Sequence, residues 1–393
     1  MKLQISKITE LYEKCATVIL FDEDDSLQLT FLSQAEVSYA SQKLSDKTDC
    51  ILHRDRRIIF LKKVKEDKEF LINEDVRIAG SKFFDISKNE KPASFQILDL
   101  TKKCFTLSFL EGFLLSSYLF SKYKKEKNDY TPDEIFIIGD RVSSQEISEL
   151  TLLIEAVFEA RNLVNEPLSY LNTQMLSEEM ERMGRIAGFR VEIMNKKKIE
   201  ALRMGGLLAV NRGSVDPPAF IILEWSPEDA VNSKPVILVG KGIVFDTGGL
   251  SLKPTLKSMD YMKSDMAGAA VVAATIYAAA GNRLPVRLIG LIPATDNRPD
   301  GNAYVPGDII TMFDGTTVEV RNTDAEGRLI LADALGYAKK YNPSLVIDVA
   351  TLTGAAAVIG GPYAVVAMGN SDEDIRKLEQ SGYEVYERII ELP

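Results

Sequence analysis

The chain has 393 residues, above the size at which a single hydrophobic core stops growing, so two domains are expected. Its 57 acidic and 47 basic side chains leave a net charge of −10, which argues against nucleic acid or anionic membrane as a main partner, because both need basic surface. Apolar residues make up 46% of the sequence, enough for ample cores, yet no uninterrupted apolar run reaches the roughly 18 residues that span a bilayer.

The chain starts Met1-Lys2-Leu3-Gln4-Ile5-Ser6-Lys7, without the apolar centre of a signal peptide, so a cytoplasmic protein is expected. Residues 17–21, 57–61 and 135–139 are short apolar runs that read as buried strands, and 107–120 reads as a helix. Together they predict a small N-terminal α/β domain over 1–142. Cys15, Cys50 and Cys104 all fall in this part, odd in number and widely spaced, which favours reduced core thiols over a disulfide framework. Ser143 and Glu146 offer a capping box, and Ile147, Leu150, Ile154 and Val157 follow at helical spacing, so a linking helix is expected over 143–167.

From 168 to 393, strand-like runs at 220–225, 236–240, 286–292 and 345–349 alternate with helix-like ones. Such alternation predicts a second α/β domain with a mostly parallel central sheet. Residues 267–280, nearly all small, suit a helix packed closely in the interior, and Lys196-Lys197-Lys198 reads as a solvated face. Active sites of such sheets sit at the carboxyl ends of strands. Gly240-Lys241 follows one strand run directly and Ala350-Thr351-Leu352-Thr353-Gly354 follows another.

The chemistry is concentrated in three segments: Gly240-Lys241-Gly242-Ile243-Val244-Phe245-Asp246-Thr247-Gly248-Gly249, then Met262-Lys263-Ser264-Asp265-Met266, then Asn322-Thr323-Asp324-Ala325-Glu326-Gly327-Arg328. Asp246, Asp265, Asp324 and Glu326 supply four negative charges, which two divalent cations would cancel. Crowded without a cation, four carboxylates would repel and some would take up protons. The single histidine, His53, lies far upstream, so His-rich zinc sites and Ser/His/Asp triads have almost no material, and oxygen ligands must dominate. No G-x-S-x-G is present, and Gly240-Lys241-Gly242 completes neither a P-loop nor a dinucleotide fingerprint.

These three segments resemble the signature segments of the leucine aminopeptidase (cytosol aminopeptidase) family, and the resemblance runs from about residue 160 to Gly354. It implies a metal-dependent aminopeptidase that releases leucine-like N-terminal residues from peptides, with two ions per chain, zinc or manganese. Magnesium is also compatible with the ligands. By resemblance, Asp246 and Glu326 bridge both ions, Asp324 completes one site, and Asp265 with the neutral amine of Lys241 completes the other. Lys253 polarises the scissile carbonyl, and Arg328 and Leu352 hold a bicarbonate ion acting as general base. Met262, Thr351 and Gly354 fall on the substrate side, and the assembly implied is a homohexamer.

Each residue also has a plainer reading. Lys241 and Lys253 could be solvated loop lysines, Asp324 and Glu326 could cap the following helix, and Met262 could fill core. Two other functions compete: a dinuclear phosphoesterase, since carboxylate-rich metal pairs also serve phosphoryl transfer, and a non-catalytic assembly or regulatory protein. Retention of Lys253 and Arg328 speaks against the second. Members of the family continue past Tyr363 with further strands and helices, so the C-terminal part of the catalytic domain is expected to be missing, with 389–393 lying in a helix.

Overall fold

Two α/β sheets account for the strand runs. The structure is a computed structural model that describes residues 3–55, 57–126 and 130–392. Its contacts divide the chain into a first unit, Met1–Ile154 with Thr353–Pro393, and a second, Glu155–Leu352.

In the first unit the chain runs β1 (Gln4–Ile8), β2 (Ala16–Phe21), α1 (Gln34–Lys43), β3 (Asp49–Arg54), β4 (Arg57–Lys63), α2 (Glu69–Glu90), β5 (Ser94–Asp99), α3 (Thr106–Ser116) and β6 (Glu134–Ile138). The sheet has the order β1-β6-β5-β2-β4-β3 and is parallel except for the β3–β4 edge pair. All six residues of β2 are buried, as a strand covered on both faces requires. Gln96 and Thr17, polar in this core, satisfy each other at 2.9 Å. All three cysteines are free thiols.

The helix expected over 107–120 stops at Ser116, because Ser116 and Ser117 turn their hydroxyls back onto the Gly112 and Leu114 carbonyls at 2.8 and 2.7 Å. The capping box forms as expected. Ser143 Oγ accepts from Glu146 N at 3.1 Å and Ser143 N donates to the Glu146 carboxylate at 2.8 Å, ahead of α4 (Ser144–Asn165).

The second unit continues with α5 (Thr173–Ala187), β7 (Arg190–Met194), α6 (Lys196–Leu202), α7 (Gly205–Asn211), β8 (Ala219–Trp225), β9 (Val236–Gly240), β10 (Gly242–Asp246), α8 (Ala267–Gly281), β11 (Leu288–Asn297), β12 (Ile309–Thr311), β13 (Thr317–Glu319), α9 (Glu326–Ala338) and β14 (Leu345–Val349). The sheet order is β14-β9-β11-β8-β7, with β10 added on β11. β14, β9, β11 and β10 pair in parallel, whereas β8 pairs antiparallel with both β11 and β7. The strand expected over 286–292 is longer, reaching Asn297, because β9, β10 and β8 all supply hydrogen-bond partners along it.

Helix α8 packs on β8, β9 and β11. Its small residues permit this: a Cβ on Gly268 would stand 2.0 Å from the Val349 carbonyl. The stretch Met259–Gly281 is long and apolar enough by composition to cross a membrane, but 67% of its most apolar window is buried inside the protein, and α8 is the core helix expected from its sequence.

The first unit is completed by α10 (Ala355–Gly360), β15 (Ala364–Ala367), α11 (Asp372–Glu384) and β16 (Arg388–Glu391). The helix expected at 389–393 is therefore a strand, paired in parallel with β15, as far as the described residues reach. Tyr386, at φ +58°, ends helical geometry before it, and the β-branched pair Ile389-Ile390 suits a strand.

Candidate metal centre

Strand ends bring the chemistry together, at the place where parallel sheets hold their sites. β9 ends at Gly240, and Lys241 N then bonds the Val349 carbonyl at 3.0 Å, tying the turn to the end of β14. β10 delivers Asp246 as its last residue. Gly248 and Gly249 follow at φ +85° and +62°, a left-handed turn that non-glycine residues rarely adopt. The turn brings Lys253 N back to the Thr247 carbonyl at 2.9 Å, so Lys253 returns beside Asp246. A short 3₁₀ helix, Met259–Ser264, leads to Asp265 just before α8. Asp324 lies in an Asx turn in which its N–H donates to Asn322 Oδ1 at 2.8 Å. Glu326 is the first residue of α9, where the helix dipole favours a carboxylate.

The side chains form two adjoining halves. In the first, Lys241 Nζ lies 2.8 Å from Asp265 Oδ2, 2.8 Å from Glu326 Oε1 and 3.0 Å from the Thr351 carbonyl. Thr351 Oγ1 donates to Asp265 Oδ1 at 2.7 Å. In the second, Lys253 Nζ lies 2.6 Å from Asp324 Oδ1 and 3.0 Å from Asp246 Oδ2. Asp246 Oδ1 accepts from Gly248 N and Asn297 Nδ2, both at 2.8 Å.

Oxygens of Asp246, Asp265 and Glu326, all buried, lie within 4.8 Å of one another. Burial pushes the Asp265 carboxyl up to about 7; the Lys241 ammonium opposes this and the Glu326 charge adds to it. Burial pulls both lysines down, but their carboxylate partners outweigh it and hold each above the usual lysine range. The carboxylates on their own thus favour Lys241 as an ammonium. The neutral amine implied by the resemblance needs a cation beside it to reverse that balance.

The donor set fits divalent cations. Four carboxylates face two lysines, leaving two negative charges in a largely buried cluster. Glu326 Oε2 is buried without a hydrogen-bond partner among the described residues, and oxygen donors with one amine suit manganese, zinc or magnesium.

Of the remaining expected site residues, Met262 is half-buried in the 3₁₀ turn before Asp265. Arg328 is exposed in the first turn of α9, and among the described residues no carboxylate pairs with it. Leu352 is 44% exposed. Gly354 belongs to the first unit, where it caps α10. The sequence reading missed Asn297, Thr323 and Tyr304. Tyr304 Oη donates to the Thr323 carbonyl at 2.6 Å, and Thr323 Oγ1 donates to the Gly248 carbonyl at 2.6 Å, so these residues brace the loop after Asp246 against the loop that carries Asp324. The one available signal was the polar run Thr295-Asp296-Asn297 ending an otherwise apolar strand.

Fold and site together define an α/β protein with a carboxylate-rich cluster at the strand ends whose donors fit divalent cations. The chain belongs to the cytosol aminopeptidase family, whose catalytic domain matches residues 158–393. A probable cytosol aminopeptidase of Chlorobium limicola is 47% identical over 306 residues, covering 73% of this chain and 59% of that protein. One from Chlorobaculum tepidum is 53% identical over 235 residues, covering 60% of this chain and 46% of that protein. The chain thus spans less than two thirds of these relatives. The bottromycin maturation enzyme BotP, solved in complex with Mn, aligns with a TM-score of 0.82 at 26% identity, covering 96% of this chain and 82% of that one.

Proposed function

We propose that this protein is a metal-dependent aminopeptidase acting on peptides, with Asp246, Asp265, Asp324, Glu326 and Lys241 as ligands of two divalent ions. The observation that carries the reading is the buried trio Asp246, Asp265 and Glu326, whose oxygens converge within 4.8 Å at strand ends. Family membership adds support and does not favour the phosphoesterase alternative. Manganese is the first ion to try, because BotP was solved with it.

When bound, two such ions would supply Lewis acidity and about four positive charges. The chain's own residues do the rest. Asp246 and Glu326 would be the ligands shared by the two ions, as their closeness to each other supports. Lys253, 15% exposed at its side chain, keeps an ammonium at the open edge, where it can polarise a peptide carbonyl oxygen. Arg328 offers a planar fork of donors that fits bicarbonate, the proposed proton acceptor. Met262 and Thr351 flank Asp265 in the second unit and are the proposed substrate contacts. The roles of Gly354 and Leu352, the leucine-like preference, the cytoplasmic location and the homohexamer rest on the family resemblance.

The test is release of N-terminal residues from short peptides by purified protein, before and after chelation. We expect activity to vanish with chelator and to return with manganese or zinc. Turnover that persists in protein shown by metal analysis to be free of divalent ions overturns the reading.

A further inference from the structure

The Asp246 carboxylate is not aimed by its own strand alone. β10 slips in register against β11 between Ile243 and Asp246, so that Asp246 comes to face Asn297, the last residue of β11. Asn297 is fully buried. Its amide nitrogen donates twice, to Asp246 Oδ1 at 2.8 Å and to the Thr323 carbonyl at 3.0 Å. Both partners are acceptors only, which fixes the amide's orientation: turned about, its oxygen would face two other oxygens. Thr323 immediately precedes Asp324, and its hydroxyl also accepts from Ser251 N at 2.7 Å. One side chain therefore joins the end of β10, which carries Asp246, to the loop that carries Asp324.

We propose that Asn297 is a positioning residue of the metal centre, using its two amide hydrogens to hold Asp246 Oδ1 and the Thr323 carbonyl in register. This rests on the reading of the site as a divalent-cation centre. With Oδ1 held by Asn297 and Gly248, Asp246 presents Oδ2 toward Asp324 Oδ1; Lys253 Nζ already meets both, at 3.0 and 2.6 Å. The amide is chemically specific here. An aspartate would set a further carboxylate against Asp246 and a carbonyl, and an apolar side chain would leave both acceptors buried with one donor fewer.

The test is calorimetric titration of Mn2+ into the metal-stripped 393-residue chain, unsubstituted and as Asn297→Ala, Asn297→Ser and Thr295→Val. Thr295 is buried on the same strand and bonds Asn211 rather than the centre, so its variant reports strand packing alone. Outer-layer partners of metal ligands commonly change affinity by about 10–100-fold. We expect a loss of that size in Asn297→Ala, a smaller one in Asn297→Ser, which keeps one donor, and none in Thr295→Val. Melting of the metal-free chain should fall to a similar extent in Thr295→Val and Asn297→Ala. Unchanged Mn2+ affinity in Asn297→Ala, or an equal loss in Thr295→Val, overturns the proposal. If Asn297→Ala does not fold, the same comparison is read from Asn297→Ser. An unsubstituted chain that binds no Mn2+, Zn2+ or Mg2+ overturns the divalent-centre reading itself, and this inference with it.

Discussion

The two halves of the centre use the same chemistry in different surroundings. Around Lys241, the lysine, Asp265 and Glu326 side chains are 3%, 5% and 2% exposed, whereas around Lys253 the lysine and Asp324 are 15% and 32% exposed. Charges in the buried half are poorly screened, so each group there depends on its partners. Charges in the open half are partly solvated and can reorganise toward a substrate. On the proposed function the contrast becomes a division of labour, in which the buried half would fix an ion and the open half would meet the peptide. Asp246 and Glu326 lie where the halves join.

The strongest way to break that division is to remove the charge at the junction. Glu326→Gln keeps volume but takes away a partner of buried Lys241, and breaking such a pair costs roughly 3–5 kcal/mol. Because Glu326 is also a proposed bridge, both ions should be lost on desalting, as read by metal analysis. Retention of one ion would confine Glu326 to the buried half.

Lys253→Ala acts on the open half. It should leave both ions bound and lower kcat by about 10²–10³, the usual effect of removing one transition-state donor. Loss of metal in this variant would mean that Lys253 organises Asp246 and Asp324 instead of meeting substrate.

The third expectation compares Glu326 with a carboxylate two turns further along the same helix. Asp333 is fully buried and pairs with no lysine among the described residues; it accepts from Leu207 N at 2.9 Å and Phe313 N at 2.8 Å, tying α7 to α9. Burial pushes its carboxyl up to about 6 despite these donors. A raised folded-state value means that the native state binds the proton more tightly than the unfolded chain. This contribution is therefore complete below about pH 4 and lost as pH rises through about 6, by at most about 3 kcal/mol. Denaturant unfolding of the metal-free chain at pH 4.5 and 7, compared with Asp333→Asn, isolates the term. An identical pH dependence in both proteins would show that Asp333 titrates normally.

How much of this was legible beforehand follows the length scale of each interaction. A strand run such as 17–21 was visible because a strand buried on both faces must be apolar throughout. The four carboxylates and two lysines stood out because such charges need a shared cation. Hidden were features set by distant partners: the extension of β11 to Asn297, which depends on β10 lying beside it, and the Asn297 and Tyr304 bonds to Thr323, which join residues 26 and 19 positions apart. The end of α3 was lost to two serine hydroxyls, and the fate of 389–393 to a left-handed residue at Tyr386.

The smallest effect, and the sharpest probe of whether the halves are separable, is Gly327→Ala. A Cβ there would stand 2.7 Å from Lys241 Cε and 2.8 Å from Nζ. The end of a lysine can ordinarily give way, but this one is held by Asp265, Glu326 and the Thr351 carbonyl. It must shift by a few tenths of an ångström and lose alignment with at least one of them. Alanine is no worse than glycine in a helix, so lower affinity could not be blamed on a weaker α9. We expect the tighter of two Mn2+ binding steps to weaken about tenfold, the lower bound for outer-layer changes, with the weaker step unmoved. If both steps weaken together, Asp246 and Glu326 couple the halves too strongly for either to act alone. If neither moves, Lys241 has slack that the close packing under α9 does not suggest.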